Sequence, residues 1–127
     1  MFGNAKQAYE SGAKATESSR ELESTALFKC ARLLEECRTR WDEPESEKRL
    51  DEAIRRNLRL WSHIQVALVA EDHAMPVSLR VDLLRLSAFI DKKSLDILAD
   101  PKPEKLQALI EINRQIASGL ATVPPEP

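Results

Sequence analysis

The chain reads as an all-α protein, an antiparallel bundle of four long helices preceded by a short N-terminal helix. Three observations point there. Ala, Leu, Glu, Lys, Arg and Gln dominate, and these are strong helix formers, while β-branched residues are few. Apolar residues recur at intervals of three and four along most of the chain. Prolines and glycines, the latter only three in number, fall between these periodic stretches or near their ends.

Taken in order, residues 1–4 carry no pattern and are expected to be flexible. A short helix is predicted over Ala5–Ala13, with Ala8 and Tyr9 as its contacts and Gly12 weakening its end. Ser18-Ser19-Arg20-Glu21 has the form of a capping box, Ser18 as N-cap and Glu21 reaching back. The long helix that follows runs to about Arg40 on a stripe of Leu22, Ala26, Leu27, Cys30, Leu33, Leu34, Cys37 and Trp41. Asp42-Glu43-Pro44 breaks it, and Pro44 suits the first turn of the next helix, which reaches about Ala70. That helix carries Leu50, Ile54, Trp61, Ile64 and Leu68 on one face, interrupted by Asn57.

Glu71 to Pro76 is a connector, and Pro76 opens a helix reaching about Ala99 through Leu79, Leu83, Leu86, Ile90 and Ile97. A second apolar row, Leu84, Ala88, Leu95 and Leu98, predicts that this helix is the most buried of the set. Asp100-Pro101-Lys102-Pro103 is a stiff turn, because proline cannot continue a helix interior. Pro103 then opens the last helix, with Leu106, Leu109, Ile110, Ile116 and Leu120 on one face and Gly119 suited to its C-terminal stop. Residues 5–121 make one domain with a modest core, and 122–127 a flexible tail.

Asn113 lies within the apolar face of the last helix, as Asn57 does in the third. A carboxamide inside an apolar stripe is costly unless its amide finds a partner. Two such interruptions predict two helices joined by hydrogen bonds at a fixed register. Trp61 is expected beside them as a core anchor whose indole also needs an acceptor, and Arg114 as a further member of the polar core. The alternative role for the asparagines is to face a groove and bind a partner's backbone.

The formal net charge is −2 and the pI about 5.8, which speaks against a nucleic-acid binder and gives no reason to expect an anionic membrane as partner. Arg49, Arg55, Arg56 and Arg59 cluster, but Asp51 and Glu52 precede Arg55 and Arg56 by four residues, so an internally paired, solvated face is expected. Cys30 and Cys37 share one helix with Cα atoms roughly 10 Å apart, too far for a disulfide. Two buried thiols fit a reducing compartment. With no secretory h-region and no membrane-length apolar run, a soluble cytoplasmic protein is expected.

No glycine-rich phosphate loop, H-E-x-x-H or G-x-S-x-G is present in the sequence. Cys30, Cys37, His63 and His73 lack the close pairs of a zinc finger. The carboxylates alternate with basic residues along outer faces. No enzyme activity, metal or cofactor is expected.

One ordered set of residues carries a family resemblance: Asn57-Leu58-Arg59-Leu60-Trp61-Ser62, then Met75-Pro76-x-x-Leu79-Arg80, then Leu86-Ser87-x-Phe89-Ile90-Asp91-Lys92-Lys93-Ser94, then Leu109-Ile110-x-Ile112-Asn113-Arg114-x-Ile116-x-x-Gly119-Leu120. Ala8-Tyr9 and Thr16-Glu17-Ser18-x-Arg20-Glu21-Leu22-Glu23 fit the same pattern. The set closely resembles FlaF, the flagellar biosynthesis regulators of alphaproteobacteria, over roughly residues 5–121. The resemblance implies a cytoplasmic, non-enzymatic protein required for flagellin production and export, acting after transcription alongside the regulator FlbT. Direct binding of flagellin as an export chaperone is the mechanism it implies. The leader from Ala8-Tyr9 to Glu21-Leu22 also resembles the start of FliS, a different flagellin chaperone, which implies that it covers a groove and moves on binding.

A bundle holds an amphipathic client helix in an apolar groove. Candidate groove residues are those with apolar side chains beside the main stripes: Leu27 and Phe28, with Tyr9 over them, and Leu60. A competing expectation is a regulator of flagellin synthesis that binds FlbT or flagellin mRNA, direct RNA contact being the version the charge balance disfavours. A third is a bundle that forms a homodimer through the Leu84–Leu95 face.

Overall fold

The computed structural model describes residues 2–70 and 75–122, with side chains for residues 20–70 and 75–121. The described residues form four α-helices and no strand: α1 (Phe2–Thr39), α2 (Ser46–Leu68), α3 (Val77–Ala99) and α4 (Leu106–Thr122), the last entered through a 3-10 turn, Pro103–Lys105. The connector residues 71–74 and the proline-rich tail 123–127 lie outside the described residues.

The first departure from the sequence expectation is α1, one continuous helix of 38 residues, about 57 Å long. There is no separate leader helix, and Ser18 does not begin one. Ala13-Lys14-Ala15-Thr16-Glu17 contains no proline and consists mostly of strong helix formers. Gly12 costs about 1 kcal/mol relative to alanine within a helix but removes no backbone hydrogen bond. Residues 2–4, expected to be flexible, form the first turn of α1.

Two seams run along α1. Ser24, Leu27, Ala31, Leu34 and Arg38, spaced by threes and fours, face α4. The Ser24 hydroxyl donates to the carbonyl of Ala117 at 2.7 Å, and the Arg38 guanidinium donates to the side chain of Gln107, so α1 and α4 run in opposite senses. Cys30, Leu33 and Cys37 face α2, and the Cys37 thiol points at the Arg49 carbonyl at 3.5 Å. Leu22, expected in the stripe, is 68% exposed because it lines up with Lys29 and Glu36 on the outer edge of the α2-facing side.

Helix α2 begins at Ser46, so Pro44 belongs to the preceding turn and not to the helix. Glu45 makes the reversal with φ 64° and ψ 20°, a left-handed conformation unusual for a residue with a Cβ. The Arg49 guanidinium fastens the turn by donating to the carbonyls of Pro44 at 3.1 Å and Arg40 at 3.4 Å. From there the expected stripe holds throughout: Leu50, Ile54, Asn57, Trp61, Ile64 and Leu68 are all buried.

Helix α3 is not the most buried element. Only Leu83, Ser87, Ile90, Ser94 and Ile97 are buried. Val77, Val81, Phe89 and Leu95 are exposed, Leu95 at 66%. The reason is coverage: α3 packs on α2 and meets α4 only slightly, so of the second row Leu84 and Leu98 reach the core in part while Ala88 and Leu95 stay exposed. Ser87 and Ser94 keep the buried seam slim, and neither hydroxyl has a hydrogen-bond partner among the described residues.

At the turn into α4, the Lys105 ammonium bridges Asp96 and Asp100, each at 3.1 Å. Helix α4 buries Leu106, Leu109, Ile110, Asn113, Ala117 and Leu120. It continues through Gly119 to Thr122, so Gly119 is not its stop. No described glycine has positive φ, and a Cβ built on Gly119 meets nothing within 4 Å. Gly119→Ala is therefore expected to stabilise the fold by about 0.5–1 kcal/mol, read as a raised midpoint in urea unfolding; a glycine acting as a left-handed helix stop would instead be destabilised by the same change.

Candidate functional site

The polar residues within the apolar stripes meet. Asn57, Trp61 and Asn113 have no exposed surface. The Trp61 indole N–H donates to Asn113 Oδ1 at 2.9 Å, and Asn113 Nδ2 donates to Asn57 Oδ1 at 2.7 Å. One amide of α4 thus sits between two side chains one turn apart on α2. Sliding either helix by one residue shifts its side chains about 1.5 Å along the axis and 100° around it, which breaks both bonds. Asn57 Nδ2 is left without a partner among the described residues. Arg114, expected in this group, is exposed: one position after Asn113, it points away to solvent.

The four residues expected to form a partner groove are not brought together. Leu27 is fully buried in the core. Phe28 is 44% exposed on α1, two positions before Cys30 and therefore about 160° around the axis from it. Leu60 is half-buried on the opposite side, beside Cys30, where it also packs against the core. The side chain of Tyr9 lies outside the described residues.

Leu60 does line a cleft. Between α1 and α2 lie two recesses of about 310 and 430 Å³ that share Arg56 and Arg59. Leu33 and Ala53 form the floor of one, and Ala26, Cys30 and Leu60 that of the other. Lys29 and His63 stand at the rim. The internal pairing expected for this basic cluster is only half made: Arg55 reaches Asp51 at 2.9 Å, whereas no ion pair joins Arg56 to Glu52 among the described residues. A third recess of about 480 Å³ lies where the start of α2 meets the end of α3, between Trp41, Leu50 and Leu98. The other open apolar surface is the outer face of α3, with Val77, Val81, Phe89 and Leu95.

Sequence reasoning missed three buried hydroxyls, Ser24, Ser87 and Ser94. The signal for them was spacing: each falls in a run of threes and fours with Leu27 and Leu34 in α1, or with Leu83, Ile90 and Ile97 in α3.

The model of the flagellar protein family FlaF matches residues 5–120. The chain belongs to the FlaF family. None of the curated proteins and none of the solved structures matches it.

In this FlaF-family chain both cysteines are buried and free. Burial pushes the Cys30 thiol pKa above its ordinary value, and nearby Arg56, Lys29 and Arg59 offset this in part. Burial does the same to Cys37, with Arg49 the main offset. Glu23 is also raised by burial, against the opposing charges of His63 and Arg20. Among the described residues no group of three His, Cys, Asp or Glu is placed to hold a metal ion, and no helix is long and apolar enough to cross a membrane. His73 lies outside the described residues.

This geometry sets expectations for the relay and for the two thiols. Asn113→Ala strands both the Trp61 indole and the Asn57 carbonyl, and is expected to cost about 2–4 kcal/mol in urea unfolding. Asn57→Ala strands one donor and removes an orphaned amide, and is expected to cost about half as much. The thiols of the folded chain are expected to react with a disulfide reagent near pH 8 at least ~100-fold more slowly than those of the chain unfolded in guanidinium. Because folding raises both thiol pKa values, their contribution to stability is whole below the ordinary thiol range and is lost as pH rises through the folded values.

Proposed function

We propose that this FlaF-family protein promotes flagellin production and export by binding monomeric flagellin in the cytoplasm as a secretion chaperone, its four helices acting as an antiparallel bundle. Membership of a flagellar protein family carries the reading. The surface supports it. A purely structural role leaves no use for the exposed Val77, Val81, Phe89 and Leu95 of α3, which lie outside its buried seam. Exposed apolar side chains in this number on one helix fit an interaction site. The terminal segments of flagellin are amphipathic helices that pack together only in the filament, and a helical partner shields such segments from aggregation. The chemistry needed is capture and release, so no catalytic group or cofactor enters it.

Calorimetry with monomeric flagellin from the same organism tests the proposal. A one-to-one complex lost on deletion of one flagellin terminus is expected. Phe28→Ala and Leu60→Ala then separate the two sides of α1, and Leu95→Ala probes α3; loss of affinity in a variant that still melts as a folded protein locates the client. No heat and no co-elution, with both proteins folded, would refute chaperoning and turn the account to a regulator acting through FlbT. A mass that rises with concentration in the absence of flagellin would assign the Leu84–Leu95 face to a homodimer.

A further inference from the structure

We propose that the cleft between α1 and α2 is a docking site for an acidic amphipathic helix of a protein partner. The inference stands on the cleft itself and holds whether or not flagellin is the partner that carries the helix.

The two recesses are one trough, because Arg56 and Arg59 line both. From Arg49 to His63 its α2 wall spans about 21 Å, the length of roughly four helical turns. Its floor is aliphatic, formed chiefly by Leu33, Ala53 and Leu60. Lys29, Arg56 and Arg59 stand over that floor, and none of them has a carboxylate partner among the described residues. Their neighbours show that this is not a shortage of carboxylates: Arg55 is paired with Asp51, and Arg40 with Glu36 and Glu43. At the far end of the trough Glu36 is thus already engaged, while Glu52 lies on the same wall unpaired with Arg56.

An apolar floor under a cationic rim selects its occupant. A purely apolar helix leaves the three cations facing uncharged surface, and a cationic helix is repelled by them. A helix with one apolar stripe flanked by Asp or Glu satisfies both parts. Beyond the recesses the same two helix faces continue to Leu22 and Val66, exposed at 68% and 71%, which extends the apolar contact by another turn. A nucleic acid fits less well: the lining of the trough contains no Phe, Tyr or Trp, its one aromatic ring being the His63 imidazole at the rim, and the chain's net charge of −2 offers no long-range attraction to a polyanion.

The test is fluorescence anisotropy of the full chain with three labelled probes. One is a synthetic peptide of about 18 residues with leucines at helical spacing flanked by glutamates. The second keeps the leucines and carries lysines instead. The third is a single-stranded RNA of about 20 nucleotides. The acidic peptide is expected to bind at least ~10-fold more tightly than the lysine peptide, and less tightly as salt rises. Arg56→Glu combined with Arg59→Glu is expected to weaken the acidic peptide at least ~10-fold, while Arg85→Glu with Lys92→Glu on α3 leaves it unchanged. Thermal melts establish that both variants are folded, and Arg59→Gln serves as the milder change if the double variant is not. Equal binding of the two peptides, no binding of the acidic one, or full binding by the Arg56/Arg59 variant overturns the proposal. Tighter RNA binding that the same variant abolishes also overturns it, and assigns the cleft to nucleic acid. Flagellin that binds the native chain and this variant equally removes the cleft and leaves the chaperone reading; acidic peptide bound where flagellin is not does the reverse.

Discussion

The side-chain amide of Asn113 is shared between two groups on α2, the Trp61 indole and the Asn57 carbonyl, and the arrangement of the helices depends on that sharing. Apolar packing alone is permissive about register, since one leucine fits much the same hole as another. Buried hydrogen bonds are not permissive. Each contributes only about 1 kcal/mol net when made, but a buried donor or acceptor left alone costs about 1–3 kcal/mol, so misregistered packings are penalised. A second pin acts on the other side of α4, where Ser24 of α1 bonds the Ala117 carbonyl. Helix α4 is therefore held by directional contacts from both α1 and α2, whereas α3 is held mainly by apolar contact and by its two joints.

That asymmetry shapes the surface. The seam of α3 that meets α2 contains two serines without partners among the described residues, and Val77, Val81, Phe89 and Leu95 outside it are exposed. On the other side of α2, the groove against α1 is lined by cations that the sequence could have neutralised and the fold does not. The protein thus presents two different surfaces, the outer side of α3 with its exposed apolar side chains and the apolar, basic groove between α1 and α2.

Much of this was legible in the residues. The interrupted stripes of α2 and α4 announced the amide pair, because a polar residue at a buried position requires a partner and only two such positions stood out. Family membership was readable from the order and spacing of several weak motifs together. What was not legible followed from tertiary coverage and from end effects. A doubly apolar helix reads as deeply buried, yet burial of α3 depends on how many neighbours reach it. Ser18 to Glu21 looks like a helix start, but a capping box competes with a preceding run of helix formers, and here the run wins. Gly119 near a helix end suggests a stop, but its φ is not positive and the helix passes through it. Leu27 and Phe28 are neighbours in sequence and about 100° apart on the helix, so one is core and the other is surface.

The relay from Trp61 through Asn113 to Asn57 stays closed in the folded protein and opens only when the fold does. Hydrogen exchange of the indole N–H protons by NMR tests it directly, since the chain has two tryptophans and Trp41 serves as the half-buried internal reference. The Trp61 indole proton is expected to exchange only through global unfolding, with an opening free energy equal to that from urea denaturation, while that of Trp41 exchanges faster. A Trp61 indole proton that exchanges at the rate of an exposed one, in a protein still folded by every other measure, would contradict it.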